Sequence, residues 1–148
     1  MKICIASDHA GVELKGSVAG FLKDLSYQVV DLGPNSVDSV DYPDYALKVA
    51  KQVANNECQM GVLICGTGLG MSYSANKVKG VRAALCTNEF MARMAKEHND
   101  ANVLVLGARV VGLDLALSIT HVFFNTAFSK SERHINRINK ITNIEKSC

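Results

Sequence analysis

The stretch Gly61-Val62-Leu63-Ile64-Cys65-Gly66-Thr67-Gly68-Leu69-Gly70 constrains the fold more than any other part of the chain. Its apolar run is uninterrupted and stops at a cysteine. Such a run suits a strand buried on both faces of a parallel sheet, because a strand with one wet face would alternate with polar residues. Glycines at 66, 68 and 70 follow, and a helix-like pattern begins near Leu69. Glycine lets backbone N–H groups approach a ligand closely, and a helix start adds positive potential. Together these features read as an anion cradle with a thiol at its rim. They point to chemistry on a small anionic substrate, with Cys65 placed to act.

The rest of the chain alternates in the same style. Ile3–Ala6 reads as a first strand, ending at Ser7-Asp8-His9-Ala10-Gly11. A helix from Val12 to Leu25 follows, with Leu14, Val18, Phe21, Leu22 and Leu25 at helical spacing. Val29-Val30 is a short second strand, broken by Gly33-Pro34-Asn35-Ser36. Pro43 suits the first turn of a helix running to about Asn55. Val62–Cys65 is the third strand and Val81–Cys86 the fourth. Thr87 can cap a helix to Lys96. Val103–Leu106 is the fifth strand, followed by helices over Gly112–Phe124 and Glu132–Glu145. The alternation predicts an α/β fold: a single Rossmann-like domain over residues 1–148, with a five-stranded parallel sheet, helices on both faces and a C-terminal helix. Ligands in such folds bind beyond the carboxyl ends of the strands.

Composition removes several classes of function. A net charge of +2 over 148 residues argues against a general electrostatic grip on nucleic acid. No apolar run reaches a membrane span, and the N-terminus enters a strand without a signal peptide. A cytoplasmic protein with neither nucleic acid nor membrane as partner is expected. The cysteines at 4, 58, 65, 86 and 148 form no C-x-x-C pair, which disfavours a zinc ribbon or dithiol redox motif. Reduced thiols are expected. Cys4 and Cys86 read as small core hydrophobes, Cys58 and Cys148 as surface or terminal residues.

Cys65 differs from Cys4 in meeting a glycine loop at a helix start, where the thiolate is favoured. It reads as nucleophile or general base, and local sequence does not choose between them. The blander alternative is one more buried cysteine. The loop is G-x-G-x-G after the third strand, whereas the dinucleotide fingerprint is G-x-G-x-x-G after the first. A nicotinamide cofactor is therefore disfavoured, and no cofactor is expected. Otherwise the loop is simply a tight strand-to-helix turn. Asp8 and His9 also lie at a strand end, although an aspartate there could serve only as a cap. His98 and Asn99 fall before the fifth strand, at the edge of the sheet opposite Cys65. If His98 belongs to the Cys65 site, it must come from another subunit. Arg133 and Arg137 lie one helical turn apart. Their guanidinium forks suit phosphate oxygens, as does that of Arg109 after the fifth strand. The competing view of the pair is a solvated basic face.

In order and spacing, these residues resemble the ribose-5-phosphate isomerase B family, within a wider group that includes galactose-6-phosphate and allose-6-phosphate isomerases. The resemblance runs through Ser7–Gly11, Asp41-Tyr42-Pro43, Ile64–Gly70, Ala75-Asn76-Lys77, Gly80–Ala83, Glu97–Asn102, Gly107–Gly112 and Arg133-His134. It implies metal-free interconversion of ribose 5-phosphate and ribulose 5-phosphate. The resemblance makes Cys65 the base that moves a proton between C1 and C2. It makes His98, contributed across a subunit interface, the group that helps to open the sugar ring. It assigns sugar and phosphate contacts to Asp8, His9, Asn99, Arg109, Arg133 and Arg137. It has Gly66, Thr67, Gly68, Leu69 and Gly70 bind the sugar end and stabilise the enediolate. A dimer or tetramer with shared sites follows. Some members use a carboxylate base in the glycine-loop helix instead, but this chain has Ser72 and Ala75 there. Ser131-Glu132 stands where close relatives are expected to carry Gly-Gly. The alternatives are a six-carbon sugar-phosphate isomerase, acting for instance on allose 6-phosphate, and a non-catalytic phosphosugar-binding module.

Overall fold

The computed structural model describes residues 1–147. Five strands, β1 (Lys2–Ser7), β2 (Gln28–Asp31), β3 (Met60–Cys65), β4 (Ala83–Leu85) and β5 (Val103–Gly107), form one parallel sheet in the order β2-β1-β3-β5-β4. The helices are α1 (Val12–Asp24), α2 (Tyr42–Ala54), α3 (Leu69–Ala75), α4 (Glu89–Glu97), α5 (Leu113–Asn125) and α6 (Glu132–Ser147). This is the Rossmann-like α/β architecture expected from the alternation.

Strand order dictates which helix covers which face. Crossovers between parallel strands are right-handed, so helices on steps in opposite directions across the sheet lie on opposite faces. The steps from β1 to β2 and from β4 to β5 run one way, those from β2 to β3 and β3 to β4 the other. Accordingly Val18 and Leu22 of α1, Ala92 of α4 and Ile119 and Phe123 of α5 pack together with Ile3, Ile5, Val62 and Ile64. Val49 of α2 and Met71 of α3 pack with Cys4, Ala6, Leu63 and Cys65 on the other face. β3 and β5 are buried throughout, as their unbroken apolar runs require.

The chain leaves β1 toward β2 and then returns past it to β3. The carboxyl ends of β1 and β3 therefore flank a topological switch point, the place where open α/β sheets bind ligands. Ser7 pairs with Ile64, and Cys65 pairs with Gly107.

Three local expectations are corrected. The fourth strand is limited to Ala83–Leu85. The cap of α4 is Asn88, whose Oδ1 accepts the Met91 N–H at 2.9 Å, while the Thr87 hydroxyl turns to the Met91 sulfur at 3.4 Å. Cys58 is fully buried, because the turn after α2 folds back and its N–H donates to Gln52 O at 3.1 Å. Cys148 lies outside the described residues.

Candidate functional site

At the carboxyl edge, Cys65 is 4% exposed and its Sγ accepts the N–H of Gly68 at 3.1 Å. That amide can reach inward because Gly68 holds φ +82, a left-handed conformation in which a side chain would also run into Leu85. Thr67 is exposed, and its Oγ1 accepts the Leu69 N–H at 3.3 Å. The exit of β5 is latched to this loop: Ala108 N–H donates to Cys65 O at 2.8 Å and Arg109 N–H to Gly66 O at 2.9 Å. The Arg109 guanidinium consequently lies over Gly66, where an added Cβ would stand 3.4 Å from Nη1.

Asp8 and His9 complete this edge. Asp8 N–H donates to Ile64 O at 3.0 Å, and Asp8 Oδ1 accepts the Ala10 N–H at 2.9 Å. Asp8 thus acts as a cap, and it does so beside β3. Val40 N–H donates to His9 Nδ1 at 3.3 Å, so the neutral ring carries its hydrogen on Nε2. The loop that delivers Val40 is anchored by Lys15, 2% exposed. Its Nζ donates to both Asp31 oxygens at 2.6 and 2.7 Å and to Pro34 O at 2.8 Å.

The other group of expected site residues gathers at the amino edge. His98 follows α4 and Asn99 follows it, both before β5 begins. Arg82 holds this loop: Nε donates to Asn99 O at 2.9 Å and Nη2 to Asp100 O at 2.7 Å. Lys96 adds a contact to Asp100 at 3.3 Å. The ring of His134, in the first turns of α6, stacks on His98 with centroids 4.2 Å apart, which brings Arg133 and Arg137 to the same edge. Among the described residues, Arg109, Arg133 and Arg137 have no ion-pair partner. One chain therefore brings together Cys65, the glycine loop, Asp8, His9 and Arg109, and separately His98, Asn99, Arg133 and Arg137. The length of β5 alone, about 13 Å at 3.3 Å per residue, keeps the two groups apart.

The ribose/galactose isomerase family model matches residues 3–141. This chain belongs to that family. It is 42% identical to the ribose-5-phosphate isomerase B of Escherichia coli, over 97% of this chain and 96% of that one. A ribose-5-phosphate isomerase B structure from Clostridium thermocellum superposes with a TM-score of 0.97 at 56% identity, covering 99% of both chains. One from Mycoplasma genitalium, with ribulose 5-phosphate bound, gives 0.95 at 46% identity, covering 99% of this chain and 97% of that one.

Two further thiols of this isomerase, Cys4 and Cys86, lie in the core. Burial pushes the Cys86 thiol up to about 12, and it raises Cys4 as well, with Cys58 beside it contributing. Both are therefore held as neutral core thiols. Among the described residues no three His, Cys, Asp or Glu side chains gather to hold a metal ion.

Three residues at the two edges escaped the functional reading of the sequence. Tyr42 packs on Gly70 so closely that a Cβ there would lie 2.5 Å from its ring. Arg82 and His134 serve the amino edge. Each sits in a motif already noted, but the signal of its role is a contact far away in sequence, which local spacing does not carry. A groove of about 560 Å³ opens between α6 and the β4 edge, lined by Arg82, Asn99, Ile141 and Ile144 among others. Its charged lining is Lys77, Lys79, Arg82 and Glu145, and it holds neither Cys65 nor the glycine loop.

Proposed function

We propose that this chain is a ribose-5-phosphate isomerase, interconverting ribose 5-phosphate and ribulose 5-phosphate through an enediolate. The observation that carries the proposal is the thiol of Cys65 at the switch point, hydrogen-bonded by the Gly68 amide and bordered by Asp8, His9 and Arg109. The likeness to the Mycoplasma genitalium protein, solved with ribulose 5-phosphate, supports the choice of substrate.

A proton beside a carbonyl is weakly acidic, so removing it requires both a base and stabilisation of the resulting oxyanion. Cys65 as thiolate takes the proton from C2 of the open aldose. The electron pair moves through a new C1–C2 double bond onto O1. The O2 hydroxyl then gives its proton to O1 as the C2 carbonyl forms, and the proton held by Cys65 returns to C1. The Gly68 and Leu69 N–H groups are taken by Cys65 Sγ and Thr67 Oγ1. The donors to the developing oxyanion are therefore the other backbone N–H groups of Gly66–Gly70 and the Thr67 hydroxyl, and one such donor is worth on the order of 10²–10³ in rate. Asp8 and His9 hold sugar hydroxyls. His98, with Asn99, Arg133 and Arg137, enters from a second copy of the chain. His98 delivers a proton to the ring oxygen as the C1–ring oxygen bond breaks, and the anomeric hydroxyl releases its proton to water as the C1 aldehyde forms. The arginines clamp the phosphate together with Arg109. The opposite-edge placement supports this sharing, since a single chain keeps the two groups apart. No metal or cofactor takes part.

The decisive experiment is turnover of ribose 5-phosphate and allose 6-phosphate side by side, with EDTA present. It is paired with deuterium uptake at C1 of ribulose 5-phosphate in heavy water. Wild type should convert the pentose preferentially. Cys65→Ala should lose about 10³-fold or more in both turnover and uptake while still binding ligand. Preference for the hexose would move the assignment to a six-carbon isomerase. No turnover by wild type, with ligand binding unchanged in Cys65→Ala, would leave a binding module, and unchanged turnover in Cys65→Ala would refute Cys65 as the base. Mixing Cys65→Ala with His98→Ala subunits should regain activity, and no regain after proven exchange would refute shared sites.

A further inference from the structure

His134 is the one histidine of the chain that is nearly fully buried, at 4% exposed, and it sits in a helix whose other residues are mostly wet. An imidazole so placed needs a hydrogen-bond partner and a packing surface. It has both. Ser129 Oγ lies 2.7 Å from His134 Nδ1 and also accepts the Ser131 N–H at 3.3 Å, which leaves the hydroxyl hydrogen available to Nδ1. Ser129 N–H in turn donates to Glu97 O at 3.0 Å, tying this corner to the residue next to His98. The packing surface is the His98 ring, tilted by 33° at 4.2 Å. His98 itself is 35% exposed along its side chain and faces Glu97, with Nε2 to Oε1 at 3.7 Å.

We propose that His134 is a positioning residue for His98, a floor that holds the His98 imidazole in one plane so that its nitrogen meets the sugar ring oxygen in the partner's site. The proposal rests on the reading that His98 opens the ring. A half-exposed histidine at a helix end would otherwise sample several rotamers, and displacement of about 1 Å in a reacting group can cost ~10² in rate. The charge state suits a floor. Burial, then the facing His98 and the flanking Arg133 and Arg137, hold the His134 pKa below its ordinary value, with Glu97 opposing. The neutral ring can lie under His98 when His98 carries the proton it delivers, whereas two imidazolium rings would repel. The Ser131-Glu132 pair fits this frame: Ser131 O accepts the His134 and Ile135 N–H groups, so it starts α6 with His134 already turned inward.

The test separates ring opening from proton transfer at carbon. Ribulose 5-phosphate has no free hydroxyl able to close a furanose, so deuterium uptake at its C1 needs Cys65 and bypasses the ring step. His134→Ala, His134→Phe, Ser129→Ala and His98→Asn are compared for uptake and for net conversion of ribose 5-phosphate. His134→Ala should lose about tenfold or more in conversion while uptake stays near wild type. His134→Phe, which keeps a flat ring beneath His98, should recover most of that loss, and Ser129→Ala should show the same pattern more weakly. If His134→Ala does not fold, the ratio of Phe to Ala is replaced by Ser129→Ala against wild type. Equal loss of both readouts in the folded variants would make His134 merely structural and overturn the proposal. Normal conversion in Ser129→Ala and His134→Ala alongside a defective His98→Asn would overturn it as well. A His98→Asn protein that converts normally would instead sink the ring-opening role, and the floor with it.

Discussion

The two edges of the sheet are built by different means. At the carboxyl edge, Cys65 and its glycine loop are held mainly by backbone amides: the Gly68 amide on Cys65, the Arg109 amide on Gly66, the Asp8 amide on Ile64. At the amino edge it comes from side chains: the Arg82 guanidinium under two carbonyls, His134 beneath His98, Asn102 Oδ1 accepting the Arg82 N–H at 2.8 Å. A backbone-built site is harmed by adding atoms, because there is no room for them. A side-chain-built site is harmed by removing them. The contrast fits the chemistry proposed for each. The base and oxyanion donors need rigidity on the scale of a hydrogen bond, whereas groups that reach into a neighbouring subunit must project from a supported surface.

The largest expected effect tests the first half of that contrast. Gly68→Ala adds a single methyl group but meets Leu85 and a left-handed φ. It should reduce turnover by about 10² by shifting the loop and its amide away from Cys65. Stability should fall by about 1–3 kcal/mol in urea denaturation. A variant with normal turnover would show that the loop can rearrange around Cys65. Next, Arg82→Met removes the clamp on Asn99 and Asp100. Charge-assisted hydrogen bonds of this kind contribute about 1.5–3 kcal/mol, so conversion of ribose 5-phosphate should drop roughly tenfold or more, with C1 deuterium uptake spared. Equal loss of both would merge the two edges into one functional unit.

Thiol reactivity sharpens the comparison further. Among Cys4, Cys65 and Cys86, an aqueous disulfide reagent should label Cys65 first, and that labelling should abolish turnover, protectably by substrate. Cys86 and Cys4, raised by burial, should react only on unfolding. Early labelling of Cys86 without loss of activity would contradict this order. The smallest effect is on pH dependence. His134 has a folded-state pKa below its ordinary 6.5, so the unfolded chain binds its proton at higher pH than the folded one. Stability should therefore be complete above about pH 6.5 and decline as pH falls below it, as unfolding takes up a proton. In His134→Phe this part of the slope of melting temperature against pH should flatten. An unchanged slope would mean that other groups dominate acid sensitivity.

Much of the carboxyl edge was legible in the sequence because its logic is local. A buried strand, a cysteine and alternating glycines lie within ten consecutive positions, and strand periodicity places them together. His98 at the opposite edge was legible from chain order alone. The misses are tertiary. Thr87 and Asn88 are adjacent and both able to cap, and only the backbone path selects Asn88. Cys58 follows the polar run Asn55-Asn56-Glu57, yet the turn closes on Gln52 and buries it. His134 lies between two solvated arginines in a polar helix, so periodicity gives no hint that it turns inward onto the ring of His98, just past the end of α4.

The margins of the sheet have a consequence for handling and assembly. Its outer strands, β2 and β4, are its two shortest, with four and three residues. An edge this brief offers few unpaired backbone groups as a template for further strands. The chain is thus shielded from runaway cross-β aggregation, and copies that associate will do so through side-chain surfaces rather than by extending the sheet.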